Sequence, residues 1–270
     1  MKTGIIIPCY NEEKRINTKA FLDFITVEEN FHLCFVNDGS TDNTMKVLNE
    51  MKNKFPLRIS VVDIKQNKGK AAAVKAGATY LFNRVDASYV GYLDADLSTD
   101  FKDFKLLVDK LKSDHNLSLV FGSRSISVNG IERNPLRGLF SKVIKTFIYG
   151  ILRLPIKDTQ CGAKVFTREI IPVIFKSDFI CRWLFDVEIF LRMKSKYGRK
   201  NVMNYMKEKA LLRWVHADDS KLGMKDALQI PYRLINIWLA YSLINVFKTP
   251  TVKVLKLDSN RENLVFRSAA

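Results

Sequence analysis

The feature that most constrains the fold of this chain is a rhythm: between residues 2 and 121, short apolar runs of strand length alternate with helical patterns. The runs are KTGIIIP at 2–8, FHLCFVN at 31–37, Leu57 to Ile64, the stretch around Tyr89, Val90, Tyr92 and Leu93, and Leu117 to Phe121. Between them the spacing predicts helices over Thr18–Asn30, over Asp42–Lys54 behind the capping residues Ser40, Thr41 and Asp42, and over the Ala-rich Lys70–Arg84. Strand and helix in alternation imply the α/β class, with a doubly wound, mostly parallel sheet and flanking helices. A chain of 270 residues with 47% apolar content can bury a substantial core as one domain.

Polar, chemically loaded segments sit where these strands end: Cys9-Tyr10-Asn11-Glu12-Glu13, Asp38-Gly39-Ser40, and Asp94-Ala95-Asp96. In open α/β sheets that edge is where ligands bind. Residues two apart in an extended chain share a face, so Asp94 and Asp96 are expected to reach one point together. Two anions aimed at one spot repel unless a cation lies between them. Mg²⁺ is held in this way, by one or two carboxylates plus substrate phosphates. Taken alone, the pair also fits solvated loop acids or caps for a helix over Phe101–Ser113. A dinucleotide-binding dehydrogenase shares the layout but carries G-x-G-x-x-G after its first strand, where this chain has PCYNEE.

IIIPCYNEE, VNDGSTDNT, NKGKAAAVKAG and LDADLSTD occur in this order, and the set resembles the family 2 glycosyltransferases with the GT-A fold. The resemblance implies a sugar-nucleotide donor and a Mg²⁺ or Mn²⁺ ion at Asp94 and Asp96, acting as a Lewis acid on the departing nucleotide. It implies that Pro8, Tyr10, Asn11, Glu12 and Asp38 line the nucleotide pocket. Lys70, opening its helix beside free amides, is then a nucleotide-side contact.

In the second half, DTQCGAKVF at 158–166, RWLFDVE at 182–188, and Trp214 with Ser220-Lys221 resemble the dolichyl-phosphate glucose synthases and, more loosely, the mannose synthases. That implies an inverting hexosyltransferase moving glucose from UDP-glucose onto a polyprenyl or dolichyl phosphate. Gln160, Lys164, Arg182, Trp183 and Glu188 are then expected at the substrate, with Asp186 bordering sugar and acceptor. A lipid phosphate needs cations, and Arg124, Arg137, Lys164 and Lys221 are the candidates, arginine being the better bidentate partner. Solvated surface charge is the default for any one of them. His32, His115 and His216 share no ligand spacing. A phosphate monoester is largely a dianion at neutral pH and attacks without a general base, so the expected clamp is Arg124, Arg137 and Lys221.

Charge is unevenly placed: residues 1–120 carry 17 Lys+Arg against 16 Asp+Glu, and residues 121–270 carry 27 against 12. The second half must face something anionic, whether nucleic acid, a membrane surface or a phosphorylated substrate. Nucleic acid explains the charge but not the strand-end motifs, and no nucleic-acid-binding motif is visible. Gly138–Leu154 and Ala227–Phe247 read as amphipathic helices, core-packed or interfacial, the second interrupted by Gln229, Pro231, Arg233, Asn236 and Asn245. The expected organisation is a GT-A domain over 1–225, an amphipathic helix over 226–248 and a charged tail over 249–270. Four cysteines without C-x-x-C spacing and a polar strand start at the amino terminus set the expectation of a cytoplasmic protein, peripheral at the cytosolic face of an anionic membrane. The rival reading keeps the fold but uses GDP-mannose or a soluble glycan acceptor.

Overall fold

In the computed structural model residues 1–124, 135–213 and 229–247 are described, as backbone alone over 135–143 and 243–247. Seven strands form one sheet: β1 (Thr3–Cys9), β2 (Phe31–Asp38), β3 (Ile59–Ile64), β4 (Tyr89–Tyr92), β5 (Leu119–Ser123), β6 (Lys164–Thr167) and β7 (Met206–Ala210), in the order β3-β2-β1-β4-β6-β5-β7. All neighbours are parallel except β6, which runs antiparallel to both β4 and β5. The helices are α1 (Thr18–Val27), α2 (Thr44–Lys54), α3 (Lys70–Arg84), α4 (Phe101–Lys112), α5 (Pro135–Leu152), α6 (Ile171–Ile174), α7 (Phe185–Tyr197) and α8 (Ile230–Phe247).

Alternation along β1 divides the core into two layers. Ile5 and Ile7 join Phe21, Phe24, Leu48 and Phe104 under α1, α2 and α4. Ile6 faces the other way, to Val74, Leu81, Ile148 and Phe190 under α3, α5 and α7. Both faces of the sheet are covered, so β1 and β2 read as near-continuous apolar runs, as in any strand buried on both sides. Each fully buried Phe or Ile contributes about 1.5–3 kcal/mol. α8 belongs to the second layer through Leu234 and Ile237, both fully buried.

Local capping sets where helices begin. Asn17 Oδ1 accepts from Ala20 N at 3.0 Å and Asp100 Oδ1 from Asp103 N at 2.8 Å. The second helix starts at Thr44, not Asp42, because Asp42 Oδ1 accepts from Thr44 N at 3.0 Å and so stands outside it. The first helix stops at Val27, leaving Glu28–Asn30 to turn the chain into β2.

Candidate active site

Five of the six parallel strands, β1 to β5, and the start of β6 bring their loaded ends to one edge of the sheet, at the point where the strand order reverses between β1 and β4. The first two loops interlock there. Asn11, in the left-handed region at φ 50°, donates its N–H to Ser40 Oγ at 3.0 Å and accepts from Thr41 N on Oδ1 at 2.9 Å. Glu12 N donates to Thr44 Oγ1 at 2.8 Å and Glu13 N to Asp42 Oδ2 at 3.2 Å. The Asn11 carboxamide oxygen, expected on the nucleotide, is thus already holding the β2 loop. Pro8 and Tyr10 are half-buried at the rim, while Glu12 is buried, with Arg15 Nε 3.7 Å from its carboxylate.

The two oxygens of buried Asp38 accept from Lys68 N at 2.9 Å and Gly69 N at 2.8 Å, so this carboxylate shapes the loop after β3. Burial pushes its pKa up despite those two donors and the nearby Arg182 and Lys68. Gly69 turns at φ 91°, and a Cβ there would lie 2.8 Å from Arg182 Cβ. Only glycine lets this loop pass under Arg182 and start α3.

Lys70, the first residue of α3, forms an ion pair with Asp94. Burial works against the Lys70 ammonium, but Asp94, with Asp186 and Asp96 behind it, holds its pKa above the ordinary lysine value. Residues 94–97 form a turn closed by Leu97 N to Asp94 O at 3.1 Å, with Leu97 at φ 52°. The shared-face argument for an extended Asp94 and Asp96 therefore does not hold. Asp96 Oδ1 accepts from Ser98 N at 2.9 Å and its Oδ2 lies 4.0 Å from Arg15 Nη2. Asp94 Oδ2 rests on Gly162, where a Cβ would come within 1.9 Å.

Among the described residues no three His, Cys, Asp or Glu side chains gather as a metal cage. The donor set still fits Mg²⁺ or Mn²⁺. Asp94 and Asp96 offer hard oxygens, their side chains are 28% and 26% exposed, and such ions complete their shell with water and substrate phosphates.

Beneath this rim lies a second, sealed pair. Lys164 is fully buried and sends its ammonium to Thr159 O at 3.1 Å, Cys161 O at 2.9 Å and Asp186 Oδ1 at 2.5 Å. All three donors are used, which overturns the expectation that Lys164 meets substrate. Asp186 also accepts from the Tyr92 hydroxyl, and burial followed by this carboxylate drives the Tyr92 pKa well up. Asp186 therefore supports the site from beneath, at 4% exposure.

Glu188 is likewise buried and accepts from Ile180 N at 3.1 Å, Cys181 N at 3.0 Å and the Tyr241 hydroxyl at 3.0 Å. It orients the loop that presents Arg182, which is exposed, and Trp183, which is half-buried. Gln160 Nε2 is buried and finds no hydrogen-bond partner. Arg124 is clamped to Asp158 through Nε at 2.7 Å and Nη2 at 2.8 Å, so its fork is engaged by protein before any phosphate arrives. Burial opposes ionisation of Asp158, and Arg124 outweighs it, leaving that carboxyl below the ordinary aspartate range. Arg137 is on α5 with its side chain outside the described ones, and Trp214, Ser220 and Lys221 lie outside the described residues.

Sequence reasoning missed Arg15, Tyr92 and Gly162. Tyr92 carried a signal, two residues before Asp94 on the strand, and Gly162 sits inside a motif otherwise made of side-chain chemistry.

The model of the family described as Glycosyl transferase family 2 matches residues 4–175. A dolichyl-phosphate beta-glucosyltransferase of Dictyostelium discoideum is 33% identical over 262 residues, spanning 87% of this chain and 76% of that protein. One from Saccharomyces cerevisiae is 31% identical over 263 residues, spanning 89% and 75%. Among solved structures, glucosyl-3-phosphoglycerate synthase from Mycobacterium tuberculosis in complex with Mn²⁺ and uridine-diphosphate-glucose shares the fold at TM-score 0.64 and 16% identity, over 89% of this chain and 78% of that one. The match runs from the first strand past β6, across every strand end that carries a polar motif, and the chain belongs to glycosyl transferase family 2.

Proposed function

We propose that this transferase moves glucose from UDP-glucose, with inversion, onto the phosphate of a polyprenol of the dolichol class. The observation that carries the reading is the likeness to dolichyl-phosphate beta-glucosyltransferases, which extends through both halves of the chain and so includes the acceptor side.

The donor's nucleotide lies along the loops after β1, β2 and β3, against Pro8 and Tyr10. Asn11 and Asp38 keep those loops in register. Lys70 and the amides at the start of α3 meet the pyrophosphate with positive charge. When bound, Mg²⁺ or Mn²⁺ held by Asp96 and Asp94 supplies Lewis acidity toward the pyrophosphate oxygens. Lys70 exchanges its Asp94 partner for phosphate as the donor enters, because both members of that pair are reachable from solvent. Gln160, with its unsatisfied amide, offers a donor to a sugar hydroxyl. Arg182 and Trp183 frame the acceptor side, and Arg124, Arg137 and Lys221 are the cations assigned to the acceptor phosphate.

No base is required. Among the described residues, His32 is hydrogen-bonded to Ser60 Oγ at 2.8 Å inside the sheet, away from the strand ends. The phosphate dianion is its own nucleophile. The enzyme's work is to align it with the departing nucleotide. The test is transfer of radiolabelled glucose to an extractable lipid, with polyprenyl phosphate and free polyprenol offered side by side. Label should enter the phosphate alone, with UDP-glucose preferred over GDP-mannose. Equal labelling of the alcohol, or a GDP-mannose preference, would overturn the reading.

A further inference from the structure

Away from the strand ends, a second pocket opens between the C-terminal ends of α5 and α7 and the flank of α8. Its volume is about 280 Å³ and its walls include Ile151, Arg153, Lys194, Arg199, Trp238 and Tyr241. Lys194 follows Asp186 along α7 by about 12 Å of helix, at 1.5 Å per residue, so this pocket is at the other end of that helix from the reaction centre.

Three cations converge here, and none is ion-paired to a carboxylate among the described residues. Lys194 Nζ donates to Leu152 O at 2.9 Å, closing the end of α5. Helix C-termini attract cations, which accounts for Lys194 at α5, but three positive groups crowd two helix ends. Burial, then repulsion from Arg199 and Arg153, pushes the Lys194 ammonium down. Arg153 itself occupies the left-handed region at φ 51°, a position where a helix end ordinarily takes glycine. From that position Arg153 lines the pocket.

The surroundings are apolar on the outside. Leu234, Ile237 and Tyr241 of α8 turn into the core, whereas Tyr232, Ile235, Trp238 and Leu239 lie 44–67% exposed on the outward side. Phe147 and Tyr149 are exposed on α5, which packs against α8. Aromatic side chains with one polar end, next to an unneutralised basic pocket, match the level of a bilayer where headgroup phosphates meet acyl chains. No described helix is long and apolar enough to cross a membrane.

We propose that the Arg153–Lys194–Arg199 pocket docks the phosphate headgroup of an anionic membrane phospholipid, with the outward faces of α5 and α8 lying in the interface. The site goes beyond the acceptor reading and does not rest on it, since docking involves neither donor nor acceptor.

The test is co-flotation of the full chain with vesicles of phosphatidylcholine alone or mixed with phosphatidylglycerol. The chain should float with the mixed vesicles. Arg153→Gln/Arg199→Gln should weaken that binding roughly thirtyfold, about fivefold for each cation near the surface. Lys52→Gln/Lys54→Gln, which removes the same charge from α2 on the opposite layer, should weaken it by less than about threefold. Gly150 lines the pocket and a Cβ there meets nothing within 4 Å, so Gly150→Glu places an anion among the cations without a clash and should abolish the preference for mixed vesicles. That variant carries the test should the double arginine variant fail to fold. Equal loss in the α2 control would mean that bulk charge alone acts, and retained binding in Gly150→Glu would mean the pocket is not the site. Calorimetric binding of glycerol phosphate with no preference for mixed over neutral vesicles would identify a soluble phosphate ligand instead of a lipid surface. Any of these three results overturns the proposal, and glucose transfer measured in parallel with detergent-dispersed polyprenyl phosphate shows separately whether the catalytic reading stands.

Discussion

Two lysine–aspartate pairs stand one above the other at the end of β4, and both ammonium groups approach the Tyr92 ring, Lys70 at 6.0 Å and Lys164 at 5.6 Å from its centroid. In Lys70–Asp94 the side chains are 22% and 28% exposed, and in Lys164–Asp186 they are 0% and 5%. The chemistry is the same and the access is not. A pair open to water gains little from its own attraction, so either partner can be given up to an incoming phosphate or metal. A sealed pair has no substitute partner, and losing one member strands a buried charge. The outer pair is therefore equipment for substrate, and the inner pair is the footing on which it stands, joined to it through Tyr92.

The largest expected effect is on the footing. Lys164→Ala should reduce stability by about 3–5 kcal/mol in urea unfolding, since it leaves Asp186 buried and uncompensated. Lys164→Met with Asp186→Leu should recover most of that loss, because replacing the whole pair by apolar groups removes the stranded charge. A loss under about 1 kcal/mol in the single variant would erase the distinction between the pairs.

Lys70→Ala reverses the pattern: transfer should fall by about 10²–10³ while stability stays within about 1 kcal/mol. Steady-state rates beside an unfolding curve for the same preparation decide this. A smaller loss is expected for Gly162→Ala, whose Cβ would sit 1.9 Å from Asp94 Oδ2 and must push that carboxylate aside. A displacement of that order costs up to about a hundredfold in kcat/KM with the fold intact. An unchanged rate would show that Asp94 is not held in place by this contact.

The smallest effect concerns pH. Burial lowers the Lys70 pKa and Asp94, with Asp186 and Asp96, more than offsets it, so the folded value stands above the unfolded one; the pair's contribution is present below the unfolded lysine pKa of about 10.4 and is lost as pH rises through the folded one. The stability difference between the parent and Lys70→Ala should be flat from neutral pH to about pH 10 and shrink above it. A difference that shrinks on acidification instead would assign it to another group.

Much of the sheet was legible because β1 and β2 are near-continuous apolar runs, and each is followed within two residues by a turn former, Asn11 after β1 and Gly39 after β2. β6 was not, since lysine opens it within a motif read for its side-chain chemistry, and direction is not written in a local pattern. Lys164 misled because lysine is ordinarily a surface residue, although its neighbours Ala163, Val165 and Phe166 are all apolar and all buried. The clasp of Arg124 on Asp158 joins residues far apart in the chain and has no local signature. Asp94 and Asp96 were read on an extended strand, but β4 ends at Tyr92 and both lie in the turn that follows it.

The reversed strand has a consequence for how the chain is made. β5 has only β6 and β7 as sheet neighbours, and both come later in the sequence. As the chain leaves the ribosome at about 5–20 residues per second, Leu119 to Ser123 must wait roughly 2–9 s for the end of β6. α4 precedes β5 and can cover Val120 with Phe104, Leu107 and Leu111 during that interval. Phe121, on the other face, gains its ring contact with Phe190 of α7, at 4.8 Å, only after that helix has emerged. A short unpaired apolar strand is where nascent chains find each other. The charges that bracket it, Lys112 and Asp114 ahead and Arg124 behind, then serve as gatekeepers for seconds before any of them serves the finished enzyme.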